Sequence, residues 1–318
     1  VSDWRPNASI EVLQRRAALF ADIRDFFRSR GVLEVDTPLL GAFGVTDPAL
    51  EPLIVAHCRA ASVPRFLQTS PEYAMKRLLA AGSGPIYQIA HAFRDDEYGR
   101  RHNPEFTLLE WYRPGYDLPA LMDEVADLVL GLLGRETREL VTYRQLFLDT
   151  LDLDPFMAPL EELVAAARGC IEAPDLGTDR DAWLDLLMSH VVEPALAHRG
   201  VVFVHGYPPS QAALARGADV DGVEVAQRFE LYVDGLELAN GFHELADATE
   251  QARRFEADNA LRRARAQPER AADTRLLAAL AAGLPDCSGV ALGLDRLLML
   301  RCSAAGLAEV LPFDWQRS

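Results

Sequence analysis

The chain has 318 residues, 49% of them hydrophobic and 25% charged, enough apolar material for one large packed core or two small ones. Its 48 acidic residues outnumber 32 basic ones, and the net charge of −16 disfavours extensive binding to nucleic-acid phosphates while suiting a cationic substrate or partner. Cys58, Cys170, Cys287 and Cys302 include no CxxC pair, which excludes a zinc finger or disulfide framework.

Ile10, Leu13, Ala17, Phe20, Ile23 and Phe27 recur at helical spacing, with Ser9 placed to cap that helix and Gly31 to stop it. The start, VSDWRPNASIEV, has no secretory pattern, and no apolar run reaches the length of a membrane span. A cytoplasmic protein that engages no membrane is therefore expected. VLEVDTP reads as extended and ends at Pro38. In RFLQTSPEYAMKRLLAAG a strand passes into a helix. Ser70 is its expected cap, Pro71 its first residue, Glu72 lies in the first turn and Gly82 closes it. PIYQIAHAFR and FTLLEWYR are strands, joined by a loop longer and more charged than a surface hairpin needs.

From Leu118, the set Leu121, Met122, Val125, Leu128, Val129 and Leu132 predicts an amphipathic helix. Residues 145–200 are expected to form a mostly helical insertion. VVFVHGYP is a buried strand, and VAQRFELYVDGLELANGF is a hairpin turning at Asp234-Gly235. Asp247 and Glu250 predict a capping box for a helix reaching about Ala266. SGVALGLDRLLML is again strand into helix. No linker or repeat intervenes. The expectation is one α+β domain over 1–318, an antiparallel sheet flanked by helices.

Three constellations carry chemistry. In GVALGLDR, Gly289, Ala291 and Gly293 share one face of a period-2 strand and leave it nearly bare, so a flat ligand can approach the backbone there. Arg296 then delivers a cation to the edge of that surface, although a close sheet-to-helix contact with a surface arginine reads the same way. In the charged loop, Arg94, Arg100, Arg101 and His102 can grip a polyphosphate, and Phe106 can stack on a base opposite Arg296. A solvated charge run is the plainer alternative. Glu230 and Glu237, on the two arms of one hairpin, suit Mg²⁺ beside phosphate oxygens. Glu110 and Tyr112, at i and i+2, with Glu244 in NGFHEL, suit an ammonium group; an exposed acidic strand face would look alike.

Jointly these strings match a family. FRDD…RHNPEF resembles motif 2 of the class II aminoacyl-tRNA synthetases, an FRxE strand, a mobile loop, then (R/H)xxxF. GVALGLDR resembles motif 3, and the helix from Ile10 into FFRSRGVLEVDTP resembles motif 1, with Pro38 as its proline. TSPE, HNPEFTLLEWY, ELANGFHEL and LPDCSGVALGLDR are similar specifically to the lysyl branch. The resemblance spans nearly the whole chain and implies a class II catalytic fold, a homodimer through motif 1, and chemistry with ATP and Mg²⁺. It gives catalytic roles to Arg94 and Arg296. It assigns ATP to these two with Asp95, Asp96, Arg100, His102, Asn103, Phe106, Glu237, Leu238 and Gly293. The amino-acid substrate falls to Ser70, Pro71, Glu72, Glu110, Tyr112, Asn240, Glu244 and Ala291, and the metal to Glu230 and Glu237.

The chain also departs from lysyl-tRNA synthetases. Ala291 stands where they have Gly, His243 where they usually have Ser, and Asp96 replaces the Glu of FRxE with Glu97 beside it. The adenine-edge contact is left to either of those acids. Motif 1 begins near residue 10, so no anticodon-reading barrel is expected before it. With the negative charge, this resembles most the elongation factor P–lysine ligases, synthetase paralogues that attach (R)-β-lysine to a lysine of a tRNA-shaped translation factor. That family implies elongation factor P as protein substrate, lysine or (R)-β-lysine as amino acid, and no stable tRNA binding. A truncated lysyl-tRNA synthetase or a non-catalytic regulatory paralogue would carry related motifs. Charge argues against the first, and the presence of Arg94, Phe106, Glu237 and Arg296 against the second.

Overall fold

Ser9 begins helix α1 (Ile10–Ser29) by accepting the Val12 amide on its hydroxyl at 3.3 Å. These positions come from a computed structural model, which describes residues 4–57, 59, 63–95 and 97–318. Cys58 and Asp96 therefore lie outside the described residues. The buried stripe of α1 is Leu19, Ile23 and Phe27, while Ile10 is 65% exposed. The predicted stripe is thus buried only in its second half, where aromatic neighbours exist to cover it. Phe27 stacks on Tyr87 at 4.4 Å and meets Trp111 edge-on at 5.3 Å.

Short strands follow: β1 (Leu33–Glu34), β2 (Leu40–Gly41), β3 (Ile54–Val55) and β4 (Arg65–Leu67). Helix α2 (Glu72–Ala80) has Pro71 at the cap position rather than inside the helix, and Ser70 supplies the cap from one residue further out, its hydroxyl taking the Glu72 amide at 3.0 Å. Strands β5 (Ile86–Phe93) and β6 (Glu105–Pro114) pair antiparallel from Ile86↔Tyr112 to Phe93↔Glu105. Asp117 caps α3 (Leu118–Leu133), which ends at Gly134 in the left-handed conformation.

Then come β7 (Arg138–Thr142), α4 (Tyr143–Leu151), α5 (Leu160–Cys170), α6 (Arg180–Leu187), a π-helical turn Met188–Val192 and the single turn α7 (Glu193–Ala195). Strands β8 (Val201–Tyr207), β9 (Gly217–Val220), β10 (Val223–Val233) and β11 (Leu236–His243) follow. Asp234 and Gly235, with φ of 50° and 76°, form the β10–β11 turn with both central residues left-handed. Helix α8 (Ala248–Ala264) keeps only half of its predicted capping box. Asp247 accepts the Thr249 and Glu250 amides, but the Glu250 carboxylate turns to Arg253 and Arg254 instead of reaching back. These two hydrogen-bonded arginines lower its pKa to about 2. Helix α9 (Thr274–Gly283), strand β12 (Cys287–Gly293) and helix α10 (Leu294–Arg301) complete the set.

The chain, continuous in its patterning, packs as two compact units. The first holds Val1–Tyr116, Gly131–Leu133 and Leu245–Ser318, the second Asp117–Leu130 and Gly134–Glu244. In the first, β5, β6 and β12 run antiparallel and β1 joins β5 in parallel, while β2, β4 and β3 form a separate small sheet. In the second, β11, β10 and β8 are antiparallel and β7 lies parallel to β8. The expected antiparallel pairing holds for most neighbours, and the two parallel pairs, β1 with β5 and β7 with β8, are each joined by a long crossover rather than a hairpin turn. The α+β class stands. Within the second unit the helices of 145–200 supply Trp183, Leu187 and Phe147 to a core shared with Val202 and Val204 of β8. Among the described residues no helix is long and apolar enough to cross a membrane.

Candidate active site

In the first unit, strand alternation separates a core face from a site face. Thr107, Leu109 and Trp111 point one way and are buried. Arg16 of α1 pairs with Asp295 at 2.5 Å and donates to Thr107 at 2.7 Å, and Asp295 also accepts the Thr107 amide at 2.7 Å. Asp295 thus ties the core side together and leaves its neighbour Arg296 to the other side.

The site face carries Phe106, Leu108, Glu110 and Tyr112. Across the ladder, Gly293 stands opposite Leu108, Ala291 opposite Glu110 and Gly289 opposite Tyr112. Directly opposed residues share a face, so the small residues of β12 clear space beside Glu110 and Tyr112. Glu110 is 1% exposed. It accepts the Ser70 hydroxyl at 2.6 Å and, more weakly, the Tyr112 hydroxyl at 3.5 Å. Ser70 therefore has two tasks, capping α2 and orienting Glu110. Pro71 is buried. Glu72 accepts Lys76 at 2.6 Å, and Lys76 is only 2% exposed. Sequence reasoning overlooked Lys76, although its i,i+4 spacing from Glu72 was a usable signal.

The charged loop is folded back on itself, with Gly99 and His102 exchanging backbone hydrogen bonds at 3.0 and 3.3 Å. Arg94 pairs with Glu97 at 2.9 Å and lies 5.0 Å from the Phe106 ring centroid. Its buried Nε has no hydrogen-bond partner among the described residues. Arg296 reaches His102 Nε2 at 2.6 Å. A guanidinium only donates, so that ring nitrogen accepts and the imidazole is neutral. Burial, then Arg296, push the His102 pKa down in agreement.

Other loop residues are anchored. Arg100 donates to the Ala305 carbonyl at 2.5 Å, and its own carbonyl accepts Leu307 N at 3.0 Å. Asn103 donates to the Glu105 carbonyl at 2.7 Å and accepts the Trp315 amide at 3.0 Å. Asp95 is exposed, with its amide on the Glu51 carbonyl at 2.9 Å. Gly293 opens α10.

In the second unit, Glu230 and Glu237 sit on facing strands, with Glu230 opposite Asn240, Glu237 opposite Tyr232, and the register skipping Leu238. Glu230 accepts Tyr207 OH at 2.7 Å, Tyr232 OH and the Arg228 guanidinium. Burial first, then the Glu230 charge, raises both tyrosines well above their ordinary pKa. Burial, the largest single effect, opposes the Arg228 charge, but Glu230 acting together with Tyr207, Tyr232 and Glu237 raises the arginine pKa. Glu237 is half-buried and contributes to the field on Arg228 and Tyr232. Among the described residues no group of three or more His, Cys, Asp or Glu side chains can hold a metal. The donor set still fits Mg²⁺ in the way that ion is usually held, by one or two carboxylates completed by phosphate oxygens. Glu237 would supply one, and Glu230, already holding three donors, would keep part of the roughly four acceptor directions of a carboxylate. Glu244 is 1% exposed and its backbone accepts Arg216 Nε at 3.3 Å. Arg228 was absent from the predicted site, although Arg-x-Glu-x-Tyr at period two already placed it on the Glu230 face.

The family model described as tRNA synthetases class II (D, K and N) matches residues 1–317. A Salmonella typhi protein named elongation factor P–(R)-beta-lysine ligase is 50% identical over 320 residues, covering 99% of this chain and 98% of that protein. Proteins with the same name from Hamiltonella defensa and Pasteurella multocida are 49% and 50% identical, covering 100% and 98% of this chain and 99% and 97% of their own lengths.

Proposed function

The chain belongs to the class II tRNA synthetases of the D, K and N type, and from that premise we propose that it is an ATP-dependent ligase for elongation factor P. It activates (R)-β-lysine as an adenylate and transfers it to the ε-amine of a lysine on the factor. The observation that carries this reading is the near 50% identity, over essentially whole lengths, to relatives bearing that name.

Arg94 and Arg296 act on the nucleotide. The substrate carboxylate attacks the α-phosphorus in line while the Arg94 guanidinium stabilises the charge spreading over the phosphoryl oxygens. Phe106 offers a face to the base, and Arg100 and His102 serve the departing pyrophosphate. Glu110, with Tyr112, serves the substrate ammonium. Glu237 and Glu230 would hold Mg²⁺, which would supply neutralisation of phosphate charge. The acceptor amine then attacks the acyl carbonyl carbon, AMP leaves with the bonding electrons, and the amine proton passes to solvent. No Ser or Cys nucleophile is needed, since positioning supplies most of the acceleration.

The exposed apolar residues Ile10 and Leu33 on the motif 1 elements, with Leu39 and Leu40 directly after them, support a homodimer. The net charge of −16 supports attraction of a basic loop on a translation factor and opposes stable tRNA binding. A cytoplasmic location follows from that partner. Incubation with ATP, (R)-β-lysine and purified elongation factor P should give a base-resistant mass increase on the factor, because an amide survives alkali that cleaves an aminoacyl ester. Efficient charging of lysine tRNA without a protein adduct would overturn the reading.

Ala291 bears on the choice of isomer. Its methyl sits directly opposite Glu110, on a face otherwise lined by glycine. One methyl group in a tight pocket is worth roughly 1–3 kcal/mol of discrimination. Ala291→Gly should move the ratio of kcat/KM values toward α-lysine and away from the β-isomer. An unchanged ratio would remove Ala291 from the selectivity account.

A further inference from the structure

Arg228 joins two groups that the site assignment treats separately. Its side chain is 15% exposed. Nη2 pairs with Glu230 Oε1, Nε donates to Asn240 Oδ1 at 3.2 Å, and Nη1 donates to the Gln211 carbonyl at 2.8 Å. The guanidinium also lies 4.4 Å from the centroid of the Tyr207 ring, whose hydroxyl donates to the other Glu230 oxygen at 2.7 Å. Glu230 and Asn240 are themselves opposed across the β10–β11 ladder. Each of the three guanidinium nitrogens therefore donates to a partner, and one face of the plane is covered by an aromatic ring.

The chemistry of the fork decides the polarity of its neighbour. Guanidinium has five N–H donors and no acceptor, so only the amide oxygen of Asn240 can face it. The two amide hydrogens of Asn240 are then left for an acceptor elsewhere. We propose that Arg228 is a positioning residue that locks Asn240 as a hydrogen-bond donor toward the anionic end of the amino-acid substrate. The same guanidinium holds one oxygen of Glu230, so substrate-side and metal-side groups move as one rigid piece. This inference rests on the function proposed above, with Asn240 as a substrate contact.

The test measures a ratio that a purely structural role leaves unchanged. Calorimetric Kd values are taken for (R)-β-lysine and for its carboxamide, which lacks the negative charge. The wild-type chain should bind the acid more tightly. In Arg228→Met the Asn240 amide is free to turn, and the acid-to-amide preference should fall about tenfold, a change of about 1.4 kcal/mol. That variant leaves Glu230 without its cation and can lose its fold. Asn240→Asp provides the second arm, since it is nearly isosteric and still offers an oxygen to Arg228. It replaces the amide donor by a carboxylate oxygen, so the preference should reverse in favour of the carboxamide. An unchanged preference in Asn240→Asp, or in a folded Arg228→Met, overturns the inference while leaving the ligase reading intact. A wild-type chain that binds neither compound overturns both.

Discussion

Glu110→Gln is expected to weaken binding of the amino-acid substrate by about 3–5 kcal/mol, the cost of leaving a buried charge without its partner. Glu110 is 1% exposed, so water cannot replace it around a bound ammonium. Glutamine keeps the size of the side chain and an oxygen for the Ser70 hydroxyl, which stands 2.6 Å from the carboxylate. The fold should therefore survive, and ATP affinity should change little. Separate calorimetric titrations with (R)-β-lysine and with ATP check this. Equal losses for both ligands would place the ammonium somewhere other than beside Glu110.

For Arg94→Ala the expected loss is in the chemical step, about 10²–10³ in the rate of amino-acid-dependent ATP–pyrophosphate exchange, as for other preorganised donors aimed at developing charge. The cost to stability should be small. Arg94 and Glu97 are each roughly a quarter to a third exposed, at 27% and 31%, and such pairs contribute about 0–1 kcal/mol. A thermal melt close to wild type alongside a collapsed exchange rate separates catalysis from folding. Unaltered exchange would show that Arg94 does not meet the transferring phosphoryl group, and its buried Nε would then need another anion.

Much of this molecule follows from short-range rules that a sequence displays openly. Ser9, Asp117 and Asp247 cap helices because a short side-chain oxygen at those positions reaches amides two or three residues on. Asp234-Gly235 turns the hairpin because both residues tolerate positive φ. The site face of β12 was legible for the same reason: period two alone puts Gly289, Ala291 and Gly293 together. The family strings added roles to residues whose spacing already grouped them.

What the sequence by itself determined, then, is the element order, the α+β class and which side chains share a strand face, because each depends on neighbours within a few residues. The tertiary structure decided who meets whom across the chain. Arg100 was read as a phosphate grip, and the fold also sets its Nε on the carbonyl of Ala305, 205 residues away. Glu72 was read as a contact of the amino-acid substrate, and it also holds the buried Lys76. Glu230 was read as a metal ligand, and two tyrosines and Arg228 also surround it. The parallel edges β1 and β7, and the half-buried stripe of α1, were equally hidden. Periodicity specifies the direction of a side chain but not the distance to its partner. Buried charges choose partners by proximity, because in a low-dielectric interior an unpaired one is too costly to keep.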